Sequence, residues 1–183
     1  MNDIRNVFKR DDEVVLRPVE KMDAEFLHEL VQHSEVRGTL GRPPKPLSLK
    51  EEKDYIENLS SNEDIAYFII EHKEESAGSI SLHGLEDEYR RGEFGISIHP
   101  DYQNQGIGTK SVKMLLEYAF DAQNLHKVRA GFLEGNIGSK KIMEKAGMKR
   151  EGQERHYKYV DGAWKDMIWM SILESEHSTL KED

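Results

Sequence analysis

The stretch Gly95-Ile96-Ser97-Ile98-His99-Pro100-Asp101-Tyr102-Gln103-Asn104-Gln105-Gly106-Ile107-Gly108-Thr109 is the most informative part of this sequence. A strand-like segment stops at Pro100, a polar turn follows, and residues 106–120 have the amphipathic pattern of a helix. The start of a helix presents unpaired N–H groups and a partial positive charge, and glycines there keep side chains away from those groups. The stretch therefore predicts a strand–turn–helix unit that could bind a pyrophosphate.

A Gly-x-Gly pair alone is weak evidence for phosphate binding, because two glycines can simply permit a tight turn. Two other nucleotide-binding motifs do not fit this stretch. The chain has no Gly-Lys-Ser/Thr, so it has no Walker loop. No third glycine completes a dinucleotide fingerprint, and no early βαβ unit surrounds the turn.

Outward from this turn, hydrophobic periodicity and turn residues predict the other elements. Ser48 and Glu51 form a capping box, Gly147 suits a helix C-terminus, and Asp161-Gly162 suits a hairpin turn. Strands are predicted at 13–19, 65–71, 77–82, 90–98, 128–132, 156–160 and 163–172, helices at 21–33, 48–59, 106–120 and 137–146, and a loop at 38–46.

The resulting order, β-α-α-β-β-β-α-β-α-β-β, predicts one α/β (mixed α+β) domain over residues 1–183. Its mostly antiparallel central sheet has about seven strands flanked by about four helices. The expected core spans about 12–174, and a polar tail at 175–183 is expected to fray.

Composition narrows the possible functions. The 183 residues are 37% hydrophobic and 33% charged, with a net charge of −9, which disfavours nucleic acid and favours cationic substrates. The absence of cysteine excludes a thiolate nucleophile, and the eight scattered histidines show no metal-binding spacing, so no metal is expected. No apolar run approaches about 20 residues and residues 1–13 lack an apolar signal segment, so we expect a cytoplasmic protein that does not bind membranes.

Three blocks of sequence together resemble the GNAT N-acetyltransferases. Gln103-Asn104-Gln105-Gly106-Ile107-Gly108 is similar to the family motif Gln/Arg-x-x-Gly-x-Gly/Ala. Glu93-Phe94-Gly95-Ile96 and His99-Pro100 resemble its fourth strand, and Asn136-Ile137-Gly138-Ser139 with Glu144-Lys145-Ala146-Gly147-Met148 resembles its second motif. The most similar subgroup is that of the RimJ/RimL-type ribosomal-protein N-terminal acetyltransferases and the related polyamine acetyltransferases.

The resemblance implies an enzyme that moves an acetyl group from acetyl-CoA to a primary amine by direct attack in a ternary complex. The amine would belong to a protein N-terminus, a polyamine or another small molecule. Acetyl-CoA would be the cosubstrate, and the chain would act as a monomer or homodimer.

The resemblance also implies roles for individual residues. The strand near Ile96, Ser97 and Ile98 would be splayed from its neighbour and would pair with the pantetheine amides. Asn136 would anchor the pantetheine arm, and Ser139 would lie near the thioester sulfur. The pyrophosphate would be held, mainly by N–H groups, at Gln103, Gln105, Gly106, Gly108 and Thr109, and Asn104 and Ile107 would also belong to the cofactor site.

Two catalytic roles have competing interpretations. Glu93 is the first candidate for the general base, but an ion pair with Arg90, Arg91 or Arg129 is an equally good explanation of this carboxylate. Met143 stands where many family members place an acidic tyrosine. Ser139 is therefore the candidate donor to the departing sulfur, unless its hydroxyl bonds its own helix backbone. The missing tyrosine also motivates the alternative of a catalytically silent acetyl-CoA-binding or regulatory module.

The sequence supports only less specific interpretations of the other polar and aromatic residues. Lys141, Lys145 and Lys149 could attract the adenosine phosphates, although a solvated basic face is the favoured explanation. Acceptor specificity is expected from residues 21–60 and from the last hairpin. An acidic group either suits a polyamine or is only a solvated face. Hairpin aromatics with a histidine could line the acceptor pocket or merely pair across strands. The acidic group comprises Glu51, Glu52, Asp54, Glu57, Glu63 and Asp64, and the hairpin group comprises His156, Tyr157, Tyr159, Trp164 and Trp169.

Overall fold

Eight strands form one sheet, in the order β1-β2-β3-β4-β5-β6-β8-β7, in the computed structural model, which describes residues 7–39, 46–59 and 61–182. Neighbouring strands are antiparallel except for β5 and β6. The strands are β1 Lys9–Asp11, β2 Val14–Pro18, β3 Ile65–His72, β4 Glu75–His83, β5 Arg91–Ile98, β6 Lys127–Leu133, β7 Lys149–Val160 and β8 Ala163–Leu173.

Six α-helices pack around this sheet in the described part of the chain. A π-helical turn, Tyr118–Ala122, continues the fourth helix. The capping box that opens the third helix is confirmed, because Ser48 Oγ accepts from Glu51 N–H and Glu51 Oε2 accepts from Ser48 N–H. The helices are α1 Ala24–Gln32, α2 Ser34–Arg37, α3 Leu49–Leu59, α4 Ile107–Glu117, α5 Ile137–Lys145 and α6 Glu174–Glu182.

Alternation along the strands divides the core into two layers. On β3, Phe68 and Ile70 belong to the larger apolar cluster, which contains the buried face of α4. Ile69, between them, belongs to a second cluster built by α1 and α3 on the other face of the sheet. The helices flanking the central strands therefore lie on both faces of the sheet, as a layered α/β domain requires.

The elements predicted from hydrophobic periodicity are confirmed, and the differences lie in short or polar segments. The structure adds β1, the short helix α2 and the first half of β7. The prediction of a fraying tail is wrong, because α6 occupies that segment and His177 is buried against Phe120, with ring centroids 4.9 Å apart. The predicted loop at 38–46 lies mostly outside the described residues.

The central strands separate at one end of the sheet, and this creates the site. β5 pairs with β6 only from Arg91 to Glu93, whereas its pairing with β4 continues to Ile98. Beyond Glu93 the two parallel strands diverge, so the β6-facing backbone of residues 94–98 has no strand partner among the described residues. The splayed strand that the family resemblance implied is therefore present.

Candidate active site

A cleft of about 360 Å³ opens where β5 leaves β6. The splayed end of β5 forms one wall, and the N-terminal turns of α4 and α5 form the floor and the other wall. The cleft is lined by eleven of the twelve residues that the sequence assigned to cofactor binding: Ile96, Ser97, Ile98, Gln103, Asn104, Gly106, Ile107, Gly108, Thr109, Asn136 and Ser139.

Two side-chain hydrogen bonds stabilise the turn before α4. The amide of Gln103 donates to the carbonyl of Ile98 at 3.1 Å, and that of Gln105 donates to the carbonyl of Asp101 at 2.9 Å. Asn104 and Gly106 both adopt left-handed backbone conformations, with φ of 60° and 80°. Gln105 is the one residue assigned to cofactor binding that does not line the cleft. Its side chain instead bonds the carbonyl of Asp101 within the turn.

Gly106 leaves the floor of the cleft open. No atom lies within 4 Å of the position that a Cβ would occupy there. Gly106 is the N-cap of α4 and provides no side-chain cap, so the first N–H groups of the helix are free to bind an anion. The open floor and the N–H groups at the start of α4 make this end of the cleft a candidate anion site.

Gly108 also has a packing role. A Cβ at Gly108 would lie 2.6 Å from Ile142 Cδ1, so this glycine allows α4 and α5 to approach each other. Gly108 lines the cleft as well, so its assignment to the cofactor site stays a prediction. The close approach in turn brings the N-terminus of α5 to the cleft.

The N-terminus of α5 presents Asn136 and Ser139 to the cleft. Asn136 is the helix N-cap, and its Oδ1 accepts from the backbone N–H of Ser139 at 3.0 Å. The Ser139 hydroxyl has no hydrogen-bond partner within the described ranges, so the alternative in which it bonds its own helix is not observed. Met143, one turn further along, is only 2% exposed and packs into the larger core cluster.

Two lysines of α5 face the same cleft. Lys141 and Lys145 are exposed and line it, and neither forms an ion pair within the described part of the chain. Lys149 does not belong with them, because α5 ends at Lys145 and Lys149 Nζ lies 2.6 Å from Glu176 on α6. The basic face of α5 at the cleft therefore consists of two lysines.

Replacing Lys141 and Lys145 together with alanine should weaken CoA binding about tenfold, since exposed charge pairs are each worth up to about 1 kcal/mol. The loss should shrink at high salt and should be smaller for dephospho-CoA, which lacks one phosphate. Calorimetric titration measures both effects. Lys140→Ala is the matched control because Lys140, on the same helix, pairs with Glu144 and does not line the cleft. Unchanged CoA affinity in the double variant would show that the two lysines are only solvated.

A second cavity, of about 490 Å³, meets the cleft across the splayed strand. The two spaces share Thr39, Ile96, Ser97, Asn136 and Ser139. A ligand in each space would therefore approach the other near Ser139. We call this second space the acceptor cavity; its other lining residues are Val31, Glu52, Tyr55, Tyr67, Ser79, Ser81, His83, Phe94, Gly95, Gly131, Phe132 and Met143.

One carboxylate of the acidic group lines the acceptor cavity. Glu52 on α3 is 4% exposed and lies in the cavity wall with Tyr55 and Tyr67, whose rings meet edge to face at 6.2 Å. The other members point elsewhere: Glu51 caps α3, Asp54 pairs with Lys50 and Glu57 pairs with Lys21, while Asp64 accepts from the backbone N–H of Glu86. Glu63 is exposed.

Glu93 forms an ion pair rather than part of either cavity wall. Its Oε2 accepts from Arg129 Nε at 2.9 Å and Nη2 at 2.7 Å. The Arg129 guanidinium stacks on Trp169, 4.6 Å from the ring centroid. Of the two interpretations of Glu93, the geometry favours the ion pair, and the partner is Arg129.

The aromatic residues of the last hairpin pair with one another at its exposed end. Trp164 stacks with His156 at 6.0 Å and meets Tyr159 edge to face at 5.6 Å. None of them lines the cleft or the acceptor cavity. Cross-strand pairing therefore explains His156, Tyr159 and Trp164, and a contribution of the last hairpin to acceptor binding is not observed in the described residues.

Several lining residues were not identified from the sequence. Glu35 and Val36 of α2 line the cofactor cleft, because α2 is too short to give a periodic signal. Ser79, Ser81 and His83 line the acceptor cavity. Their alternation with Ile80 and Leu82 could have marked one polar face of β4, but it does not show what covers that face.

The hydroxyl of Tyr102, which lines the cleft, bonds a carboxylate. Tyr102 donates its O–H to the carboxylate of Glu75, and this hydrogen bond, with burial and the nearby negative charges, raises the pKa of Tyr102 above its ordinary value.

Within the described residues, no cluster of three metal-ligating side chains occurs. No helix formed by those residues is long and apolar enough to cross a bilayer.

Comparison with known proteins defines the class of this chain. Residues 13–149 match the model of the GNAT acetyltransferase domain, so the chain belongs to the GNAT family. It is an acetyl-CoA-dependent N-acetyltransferase. Spermidine N(1)-acetyltransferase of Escherichia coli (strain K12) is 29% identical over 170 residues, which cover 91% of each chain. The putative ribosomal N-acetyltransferase YdaF of Bacillus subtilis (strain 168) is 34% identical over 99 residues, 54% of each chain.

A solved structure shares the whole fold. Spermidine N-acetyltransferase from Vibrio cholerae, in complex with CoA and spermine, superposes with a TM-score of 0.85 at 24% identity. The alignment covers 92% of this chain and 99% of that chain. The predicted GNAT fold is thereby confirmed.

Proposed function

We propose that this enzyme acetylates a primary amine of a polyamine such as spermidine. The observation that carries the proposal is the buried carboxylate of Glu52 in a cavity that meets the cofactor cleft at Ser139. A buried carboxylate attracts an ammonium group, and the neighbouring faces of Tyr55 and Tyr67 can add cation–π attraction. The similarity to the Escherichia coli spermidine acetyltransferase over most of the chain supports the same acceptor class.

The two spaces suggest how the reaction is organised. Acetyl-CoA supplies an activated acetyl group. The N–H groups at the start of α4 bind the pyrophosphate, and the free edge of β5 pairs with the pantetheine amides. An N–H group of the splayed strand is positioned to stabilise negative charge on the thioester oxygen during attack. Asn136 orients the N-terminus of α5 and thereby the Ser139 hydroxyl, which donates a hydrogen bond to the departing sulfur.

The amine attacks directly, without a covalent enzyme intermediate. The chain has no cysteine, and the acceptor cavity opens towards the same residues as the cofactor cleft. The departing thiolate has an ordinary pKa near ~8.5 if it resembles cysteine, so it needs less assistance than an alkoxide would. Because the thiolate leaves with little assistance, the reaction can proceed with Met143 in the position of a tyrosine acid. The proposed location remains the cytoplasm, and the proposed assembly a monomer or homodimer.

The acceptor class is tested with a panel of spermidine, spermine, putrescine and a short peptide with a free N-terminus, reading CoA release from acetyl-CoA. We expect the highest kcat/KM with spermidine or spermine. Preference for the peptide would overturn the polyamine proposal and would favour protein N-termini.

Glu52→Gln should lower kcat/KM for the preferred polyamine by about 10- to 100-fold, because it removes one charge-assisted hydrogen bond worth about 1.5–3 kcal/mol. Affinity for acetyl-CoA should be unchanged. Glu57→Gln is the matched control, since Glu57 lies on the same helix but pairs with Lys21 at the surface. Equal effects of the two variants would contradict a specific role for Glu52.

A further inference from the structure

A serine and a histidine of β4 lie side by side in the wall of the acceptor cavity. Ser81 Oγ and His83 Nε2 are 3.0 Å apart. Both residues line the cavity, and Ser81 is 8% exposed while His83 is half-buried. Their side chains share one face of the sheet because the residues are two positions apart on a strand.

The backbone opposite this pair leaves room for a ligand. Gly95 on β5 is the cross-strand partner of Ser81, and a Cβ there would lie 3.6 Å from Ser81 Oγ. Gly95 also begins the part of β5 that lines the cavity beside Ile96 and Ser97. The space above Gly95 therefore connects the Ser81 hydroxyl with the splayed strand, where the two ligands would meet.

The reaction requires a proton acceptor in this cavity. A primary ammonium group has an ordinary pKa near ~10.4 and cannot attack until it loses a proton. The titratable residues that line the cavity, among those described, are Glu52, Tyr55, Tyr67 and His83. A glutamate, with an ordinary pKa near ~4.3, is a weak base, and a tyrosine, near ~10, is already protonated at neutral pH. Histidine is the residue type that best exchanges protons near neutrality.

We propose that Ser81 and His83 form a proton relay that converts the acceptor ammonium into the attacking amine. The inference rests on the proposed use of this cavity for the acceptor. The ammonium gives one proton to Ser81 Oγ while the Ser81 hydroxyl proton passes to His83 Nε2, which leaves a neutral amine and an imidazolium. The amine nitrogen then bonds to the acetyl carbon, the carbon–sulfur bond breaks, and the second nitrogen proton goes to the thiolate. The imidazolium releases its proton to solvent.

The charged groups around His83 allow this role. Glu93 is its cross-strand partner on β5, but Arg129 on β6 neutralises that carboxylate. Glu52 and Tyr55 line the same cavity from α3, and Tyr67 lines it from β3. Tyr67 donates its O–H to Ser79 Oγ at 3.2 Å.

His83→Gln tests the relay, because glutamine can bond Ser81 but cannot accept a proton. The rate is measured with whichever amine of the panel the wild-type enzyme acetylates fastest, so failure of spermidine as the acceptor leaves the test intact. We expect kcat/KM for the amine to fall about 100-fold at neutral pH and to keep rising with pH towards the ordinary pKa of the amine, near ~10.4, because only amine that is already deprotonated can then attack. Affinity for acetyl-CoA should stay the same. Ser81→Ala should lower the rate at least tenfold, since it removes the connection to the imidazole.

The matched control is His156→Gln at the exposed end of the last hairpin, which should leave the rate unchanged. Wild-type rate and pH profile in His83→Gln would overturn the relay. So would the same loss of rate and the same change of pH profile in Glu93→Gln alone, which would return the role of base to Glu93. If His83→Gln does not fold, Ser81→Ala tests the same step. An unchanged kcat/KM in that variant would also overturn the proposal, because the relay passes through the Ser81 hydroxyl.

Discussion

Gly106→Val should weaken binding of CoA by about 100-fold. The valine side chain would project into the open floor of the cleft, where no protein atom lies within 4 Å of a Cβ. It would separate the first N–H groups of α4 from the pyrophosphate. Losing two charge-assisted hydrogen bonds costs about 3 kcal/mol, which corresponds to about two orders of magnitude in the dissociation constant.

The backbone conformation adds a separate cost that a control can isolate. Gly106 has φ of 80°, so a residue with a Cβ is strained there by about 1–2 kcal/mol, whether or not ligand is present. Gly162, in the hairpin turn, has φ of 81° and also has no atom near a Cβ. Gly162→Val should therefore lose similar stability and keep the wild-type affinity for CoA.

Thermal unfolding with and without CoA measures the loss of CoA binding and the loss of stability from backbone strain together. At a CoA concentration of 100 times the wild-type dissociation constant, binding stabilises the wild-type fold by about 2.7 kcal/mol. At the same concentration the Gly106→Val variant should gain only about 0.4 kcal/mol. The rise in Tm, about 5–10 °C for wild type and for Gly162→Val, should nearly vanish in Gly106→Val. Equal rises in all three proteins would disprove anion binding at the start of α4.

The cofactor cleft could be predicted from sequence because its parts are local. Gly106, the polar turn before it and the amphipathic helix after it are contiguous, and their backbone geometry follows from residue type. Asn136 and Ser139 are likewise a helix cap and its third residue. Gly108 shows the limit of such reasoning, since its close neighbour Ile142 is 34 positions away and its packing role is not visible in the motif.

The acceptor cavity could not be predicted in the same way because it is assembled from distant elements. Six carboxylates lie between residues 51 and 64, and only the packing of α3 on the sheet selects Glu52 for the cavity. Glu93 can be placed on a sheet face by alternation, but the choice among three arginines depends on the pairing of β5 with β6. His83 is one of eight scattered histidines in the sequence, and its place in the cavity depends on the pairing of β4 with β5.

The missed elements have little apolar content of their own. β1 is Lys9-Arg10-Asp11 and joins the sheet through backbone pairing with β2. Most of β7 is exposed at the other edge of the sheet, so its first half has no alternating pattern. Edge strands are stabilised by one neighbour and tolerate polar side chains, which removes the signal that identifies central strands.

Arg17→Met should lower the free energy of unfolding by about 3–5 kcal/mol, because it leaves two buried carboxylates without their cation. Arg17 is 7% exposed, and its guanidinium bonds both oxygens of Asp23, at 2.8 and 2.6 Å, and Glu71 at 2.7 Å. Asp23 and Glu71 are each 4% exposed. Burial alone would lower the pKa of Arg17, but the hydrogen bonds and charges of Asp23 and Glu71 outweigh it and raise that pKa above its ordinary value.

This cluster matters for the site because it fixes the entry to α1. Arg17 lies on β2, Glu71 on β3 and Asp23 in the turn just before α1, and Asp23 also accepts from the backbone N–H of Glu20 at 2.7 Å. From there the chain runs through α1, which contributes Val31 to the acceptor cavity, and into α2, which lines the cofactor cleft. We therefore expect Arg17→Met to lower kcat/KM as well as stability.

Urea unfolding with and without CoA separates these consequences. Arg90→Met is the control, since the exposed guanidinium of Arg90 bonds Asn124 and Glu174 at the surface and leaves no buried charge unpaired, so its loss should cost less than that of Arg17. Arg17→Lys should be less destabilising than Arg17→Met, because the ammonium keeps the positive charge, but it should still lose stability because it cannot reproduce the planar fork that bonds both carboxylates. Replacing all three members with apolar residues of similar size should recover much of the loss, because it removes the unpaired buried charges. A loss below about 1 kcal/mol in Arg17→Met would mean that water or another cation compensates Asp23 and Glu71, and that the turn before α1 does not depend on this arginine.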